Sequence, residues 1–341
     1  MEENIIKKDN HFKKRENNID LMKAIIVLGM ILTHAFQLIM GLDNAPIDSS
    51  NRGIIYLNLV TFSGFLFCFG YSTYIAYIQK DIKEVCPKLI RNIIKLLIIF
   101  YISAIGYVAI ILNEINFSVL IRILTLLIIP GMSEFLASFA MLNLFVLIFF
   151  KYIKKILDNK LLFFICVIFS LDLTFIPYYF IDNPWLSLII GNWSVCFPIL
   201  QYMSLFLFGM YFAKYKPRFN LKILLGTLIC FIIFEIGVSN NWEMVMRFPP
   251  RLFWILGSYF FVYIYYYITK FISEKYSNSK LLLHISFIGR DSLTFLWISN
   301  IILFIITTMT RKVEVNFIQV MLTYIVTVIM CYWFSKTKTY I

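Results

Sequence analysis

Charge is scarce in this chain: Asp, Glu, Lys and Arg make up only 15% of its 341 residues, while 60% are hydrophobic. Soluble domains carry about a quarter charged and about half apolar residues, so a soluble globular protein is excluded. Acidic residues are scarcest, 19 against 31 Lys and Arg, which leaves a net charge of +12. The six cysteines, at 68, 86, 166, 196, 230 and 331, fall mostly inside apolar runs and make no CxxC or other metal-ligand spacing. Neither a disulfide framework nor a zinc site is implied. Also missing are a GxSxG elbow, a P-loop, HExxH, GxGxxG and a His followed four residues on by Asp. The familiar serine-hydrolase, nucleotide and zinc-protease signatures are therefore absent.

What the chain does have is long apolar runs. Its 35 Phe and 21 Tyr sit in stretches broken by short lysine-rich segments, and runs of roughly 20 residues match a bilayer core about 30 Å thick. The runs are continuous rather than alternating, which excludes a β-barrel porin. Spans are expected near 21–40, 54–78, 93–112, 132–150, 161–180, 193–213, 221–239, 252–269, 291–309 and 317–335. The predicted fold is an all-α polytopic membrane bundle of about ten transmembrane helices. The stretch 117–131, FSVLIRILTLLIIPG, carries Arg122 and ends in Pro-Gly. It is short for a span and reads as re-entrant or interfacial.

Cation positions orient the bundle. With both termini cytoplasmic and 117–131 not crossing, 25 of the 31 Lys and Arg lie inside; Arg52, Arg122, Arg247, Arg251, Arg311 and Lys312 lie outside. That is the positive-inside pattern, so the basic excess needs no nucleic-acid partner. The polar N-terminus leads into an apolar run with no small-residue cleavage site, and reads as a tail followed by a retained span. The expected organisation is a cytoplasmic tail over 1–20, one membrane domain over 21–335 and a cytoplasmic tail over 336–341. Abundant Ile, Lys and Asn fit an AT-rich bacterial genome and a plasma-membrane protein.

Polar residues within spans are costly, and are functional candidates for that reason. In the first span Lys23 and His34 are 11 positions apart, which is three turns plus about 20°, one helix face, and about 16 Å of axis. Gln37 extends the stripe. A histidine there can serve as a general base near neutral pH, or it can simply hydrogen-bond a neighbouring helix. Lys23 can equally snorkel to headgroups. The second span carries Asn58, Thr61, Ser63, Gly64 and Gly70, a set that also suits close helix packing. Glu134, just after the Pro130-Gly131 break, is placed to border a cavity, whereas Asp172 lies in the fifth span and Glu235 near the outer end of the seventh, where it can simply reach water. Arg247 and Arg251 flank Pro249-Pro250 on the outer side, suited to an anionic or hydroxyl-rich ligand or to an ion pair with Glu243 or Glu134. Lys80, Lys83, Lys88, Arg91 and Lys95 cluster on the cytoplasmic side. These residues alone do not separate catalysis from transport.

Lys23, ten residues and His34, preceded by Ile19-Asp20-Leu21, resemble the opening of the acyltransferase 3 family of membrane-bound acyltransferases, in the wider group that includes heparan-glucosaminide acetyltransferase relatives. Thr61-Phe62-Ser63-Gly64-Phe65-Leu66, Phe206-Leu207-Phe208-Gly209-Met210-Tyr211 and Ile288-Gly289-Arg290-Asp291-Ser292-Leu293-Thr294-Phe295 are similar to that family's later segments. Two positions depart from the pattern: Lys23 stands where the family usually has arginine, and Ser299, followed by Asn300, where it often has histidine.

The resemblance implies a ten-span enzyme with both ends inside that moves an acyl group, usually acetyl, from cytosolic acyl-CoA to a hydroxyl of an envelope glycan or small acceptor. No resident cofactor or metal is expected; acetyl-CoA is a co-substrate. Lys23, Arg91 and Arg290 are the expected acyl-CoA contacts, His34 the general base, and Ser63 and Asn58 the oxyanion or pocket groups. Glu134, Arg247 and Arg251 are expected on the acceptor side. A covalent acyl-histidine is a variant of that chemistry. The competing readings are a transporter or flippase using the same polar path, and a non-catalytic membrane interaction protein.

Overall fold

A computed structural model describes residues 16–41, 52–176, 183–191, 197–277, 279–310 and 315–338. Among these the chain is helical, with no strand. In order, the helices are α1 (Asn17–Ile39), α2 (Arg52–Thr73), α3 (Ile82–Gly106), α4 (Phe117–Leu124), α5 (Glu134–Ile148), α6 (Phe150–Asp158) and α7 (Lys160–Asp172). They continue with α8 (Pro184–Ser187), α9 (Met203–Tyr215), α10 (Leu221–Ser239), α11 (Leu252–Lys275), α12 (Lys280–Arg290), α13 (Ser292–Thr310) and α14 (Phe317–Lys338). Wide π-helical turns extend α2 to Ile78 and α3 to Leu112.

Asparagine starts many of these helices. Asn116, Asn159, Asn183 and Asn220 each accept from backbone N–H groups of the first turn of α4, α7, α8 and α10. Each satisfies donors that an isolated helix end leaves orphaned. These four asparagines thus mark where helices begin.

Among the described residues, seven helices are long and apolar enough to cross a membrane: Asn17–Ile39, Arg52–Ile78, Ile82–Leu112, Leu221–Ser239, Leu252–Lys275, Ser292–Thr310 and Phe317–Thr337. They match seven of the expected spans. The other three expected spans, 132–150, 161–180 and 193–213, coincide with the shorter α5, α7 and α9, of 15, 13 and 13 residues. Parts of 161–180 and 193–213 lie outside the described residues. Helices α5 and α6 form a pair bent by 82° and would count as an eighth span if taken together. α6 turns its apolar side, Phe150, Ile153 and Leu157, inward and leaves Lys151 exposed. That perpendicular, amphipathic arrangement is the geometry of a helix lying along the interface plane. At eight residues, α4 is about 12 Å long and cannot cross, in keeping with an interfacial reading of 117–131.

The periphery is as apolar as the core. Leu225, Ile229, Ile232 and Ile236 of α10 and Ile318, Leu322, Ile325, Ile329 and Trp333 of α14 are all exposed. In water such continuous faces would be an aggregation hazard; in a bilayer they are the solvent-facing surface. α1 is the opposite case. It packs against α2, α11, α12, α13 and α14, and its buried residues cover most of its circumference. The polar stripe that the sequence placed on α1 therefore runs through the centre of the molecule.

Two backbone approaches hold this centre together. A β-carbon on Gly209 of α9 would collide with the Phe67 carbonyl of α2, and one on Gly70 of α2 would collide with the Phe206 carbonyl of α9. In a membrane, where lipid is as apolar as the side chains, such close backbone contact is a main source of helix association.

Candidate active site

The site is built around α1. Lys23 is turned inward: its Nζ donates to Ser72 Oγ of α2 at 2.7 Å. Deeper on the same helix His34 is 5% exposed, and Gln37 beyond it is buried. His34 Nδ1 lies 2.8 Å from Oδ1 of Asn300 on α13. Asn300 Nδ2 in turn donates to the Met132 carbonyl at 2.8 Å. Met132 belongs to the Pro130-Gly131 break before α5 and holds a left-handed backbone, φ 68. Broken backbone at this depth is tolerated where protein groups satisfy it, and Asn300 does so here.

Glu134, two residues on, opens α5 with its carboxyl buried; among the described residues its Oε2 has no hydrogen-bond partner. Asn58 Oδ1 and Ser63 Oγ are also buried and lack a partner among the described residues. Gly29 of α1 faces Thr61 of α2, and Ile26 faces Gly64. This antiparallel register sets Asn58 near the depth of residue 32 and Ser63 near that of residue 27. Asn58 is thus within a turn of His34 in depth, and Ser63 is about 10 Å nearer the Lys23 end.

Beside Lys23 the helices leave a cavity of about 150 Å³. Its walls are Lys23, Phe65, Cys68 and Phe69 from α1 and α2, Asn92 and Leu96 from α3, Leu136 and Phe139 from α5, and Ser292, Leu293 and Leu296 from α13. Leu296 is one helical turn, about 6 Å, from Asn300 along α13. Leu136 is two residues, about 3 Å, from Glu134 along α5 and on the opposite face of that helix. By the α1–α2 register Phe65, Cys68 and Phe69 lie level with residues 25, 22 and 21 of α1, so the cavity sits at the Lys23 end of the stripe, with Leu296 its wall closest in sequence to Asn300. It is apolar along its length and polar at Lys23, Asn92 and Ser292, which suits a thin chain with sparse polar groups.

The segment Gly289-Arg290-Asp291-Ser292-Leu293 forms the corner beside the Lys23 end. A β-carbon on Gly289 would collide with the Asp20 carbonyl, so α12 ends directly against the α1 backbone. Arg290 Nε stands 3.6 Å from Asp20 Oδ2. Asp291 accepts from Thr294 Oγ1 at 2.7 Å and from Ser335 Oγ of α14 at 2.5 Å, while Ser292 and Leu293 face the cavity. Asp291→Ala is expected to lower the stability of the purified protein by about 1–2 kcal/mol, through loss of the α13 start and the tether to α14. A thermal unfolding series in detergent reads this directly. Arg91 of α3 is exposed, next in sequence to the cavity-lining Asn92. Lys83, Lys88 and Lys95 are also exposed, and Lys80 is half-buried.

Arg247 and Arg251 separate. Arg251 pairs with Glu243 and donates to the Thr174 carbonyl at 3.2 Å, so a structural role accounts for it. Arg247 is 9% exposed, with its guanidinium stacked 3.7 Å from the Phe62 ring centre and 4.3 Å from that of Phe248. Its guanidinium is thereby held inside the bundle rather than at the loop surface. Only Arg247 of the two therefore belongs to the polar cluster. Glu235 does not simply reach water: Arg52 pairs with it at 3.3 Å and Tyr56 donates to it at 2.7 Å. Asp172, at the end of α7, is exposed. His284 is a satisfied histidine, with Nδ1 2.7 Å from the Tyr332 hydroxyl.

Sequence reasoning overlooked Asn300 and the Met132 carbonyl. A signal for Asn300 was present, since an amide in the middle of an apolar helix is itself expensive. Nothing in the sequence marks which backbone carbonyl it meets.

Comparison with curated proteins finds no match, and neither does comparison with solved structures. The model of one protein family, the acyltransferase domain of the acyltransferase 3 type, matches residues 16–336. That span takes in the Lys23–His34 stripe, the cavity and the Gly289–Leu293 corner, and the chain belongs to the acyltransferase 3 family of multi-pass membrane acyltransferases.

Proposed function

We propose that the protein transfers an acyl group, most simply acetyl, from cytosolic acyl-CoA to a hydroxyl of an envelope glycan or small acceptor on the far side of a bacterial plasma membrane. In this reading the bundle has ten spans with both termini cytoplasmic, and the shorter α5, α7 and α9 belong to broken crossings. The observation that carries it is the cavity, which is lined by Lys23 at one side and by Leu296, four residues before Asn300, on α13.

Lys23, with Arg290 and Arg91 at the cytoplasmic mouth, attracts the donor's phosphates by charge-assisted hydrogen bonds. The nucleotide stays outside and the pantetheine arm occupies the cavity, with the thioester at its inner end. His34 takes the proton of the acceptor hydroxyl as that oxygen attacks the thioester carbonyl. The tetrahedral oxyanion collapses, the carbon–sulfur bond breaks, and the coenzyme leaves as a thiol with the proton that His34 returns. Asn58 and the Arg247 guanidinium stabilise the oxyanion and the acceptor, Glu134 receives an acceptor hydroxyl, and Ser63 borders the donor arm.

Incubating membranes with labelled acetyl-CoA and following label into envelope material tests this reading. Uptake of label by wild type that is absent in His34→Ala is expected; equal labelling in both would overturn it. Lys23→Met is expected to raise the KM for acyl-CoA by roughly 10- to 100-fold, the worth of one hydrogen bond to a charged group. Its kcat at saturating donor should change far less, because Lys23 sits some 16 Å from the reacting carbon.

A further inference from the structure

We propose that Asn300 is the positioning residue for His34, holding the imidazole in the single tautomer in which Nε2 carries the lone pair and faces the reacting groups. The inference rests on the reading of His34 as the base and adds a partner to it.

The argument begins at the far end of the chain of hydrogen bonds. The Met132 carbonyl can only accept, so the Asn300 atom 2.8 Å from it must be the amide nitrogen. This fixes which way the side-chain amide is turned. The atom facing His34 is then Oδ1, which also can only accept. His34 Nδ1, at 2.8 Å, must therefore be the protonated nitrogen that donates. A neutral imidazole carries one N–H, so Nε2 is left as the acceptor and base. Every group in the relay is buried or held in place: His34 is 5% exposed and Asn300 is fully buried.

The same relay gives the Pro130-Gly131 break a purpose. Met132 adopts a left-handed conformation, which is strained in a residue with a side chain. The result is a carbonyl aimed at Asn300. Ser299, the residue at the position where the pattern would put histidine, donates instead to the Leu296 carbonyl of its own helix at 3.0 Å. The partner of His34 on α13 is the next residue, Asn300, an amide. An amide orients the imidazole without adding charge to an apolar interior. It is the arrangement expected where a buried carboxylate would need a further counter-charge.

Two measurements on the purified full-length protein decide the matter. The chain has three histidines, His11, His34 and His284. Nitrogen-15 NMR of histidine-labelled protein, assigned with His11→Gln and His284→Gln, is expected to show His34 protonated at Nδ1. Protonation at Nε2 in the neutral form would overturn the proposal, whatever the protein's activity. In the labelled acetyl-CoA assay, Asn300→Ala is expected to lower kcat by up to about 100-fold, with the donor KM within about twofold. Asn300→Asp should recover part of kcat and move the acid limb of the pH–rate profile upward, because a carboxylate beside an imidazole favours its protonated form. A packing role predicts no movement of that limb, and an unmoved limb, or a kcat within twofold of wild type in Asn300→Ala, would sink the proposal. If His34→Ala were fully active the base reading would fail, whereas His34→Ala inactive with Asn300→Ala unaffected would remove Asn300 alone.

Discussion

His34→Ala is expected to reduce acyl transfer by about 10²- to 10⁴-fold, the range that a positioned general base contributes, without unfolding the protein. The ring makes one hydrogen bond, to Asn300, and Asn300 keeps its bond to the Met132 carbonyl when the ring is gone. Loss of the ring leaves a buried space but no orphaned charge. Intact size-exclusion behaviour with activity at background separates a lost base from a lost fold. Binding of a non-hydrolysable acyl-CoA analogue should persist, since the donor contacts assigned to Lys23, Arg290 and Arg91 lie at the other end of the stripe. His34→Gln is a sharper variant: it keeps a hydrogen-bonding group of similar reach but cannot take a proton at neutral pH. A glutamine variant with near-normal turnover would show that the ring acts through position alone.

The second large effect is structural. Gly209→Ala is expected to abolish the folded protein in detergent, because the added carbon would run into the Phe67 carbonyl and the Tyr71 amide, which are backbone and cannot rotate away. Overpacked cores ordinarily lose about 1–3 kcal/mol, and a clash with backbone belongs at or beyond the top of that range. Gly226→Ala provides the control. A β-carbon there would meet nothing within 4 Å, and replacing a mid-helix glycine by alanine should be neutral or gain roughly 1 kcal/mol. Expression and unfolding temperature of the two variants side by side give the comparison. Equal stability of both would mean that α2 and α9 do not meet as closely as described.

The sequence carried the helical architecture because the bilayer asks for one thing, length of apolar run, and the long runs at α1, α2, α3, α10, α11, α13 and α14 answer it directly. The shorter helices were harder to read. Hydropathy does not distinguish a continuous crossing from a helix that stops at Phe149 and turns by 82°, since Phe149-Phe150 is as apolar as what precedes it. The stripe Lys23–His34 was legible because helical periodicity alone aligns it. The partners of that stripe were not, because they come from α2, α5 and α13, and packing between helices has no periodic signature in a single chain. Arg247 and Arg251 illustrate the same limit: four residues apart in one outer loop, they end in different surroundings, one stacked on Phe62 and the other paired with Glu243.

The contact of Gly289 with the Asp20 carbonyl has a mechanical side. α1 is pressed against backbone at its Lys23 end by α12, lies close against α2 at Gly29, and is bonded to α13 through His34. A rod clamped at three heights cannot swing. Admission and release of a bulky donor must therefore be accommodated by the opposite wall, where α3 and α5 supply Asn92, Leu96, Leu136 and Phe139. Of the two, α3 is the less buried inside the molecule. On the proposed reading His34 thus rides on the clamped helix, and its alignment with Asn300 is kept while the donor enters and leaves.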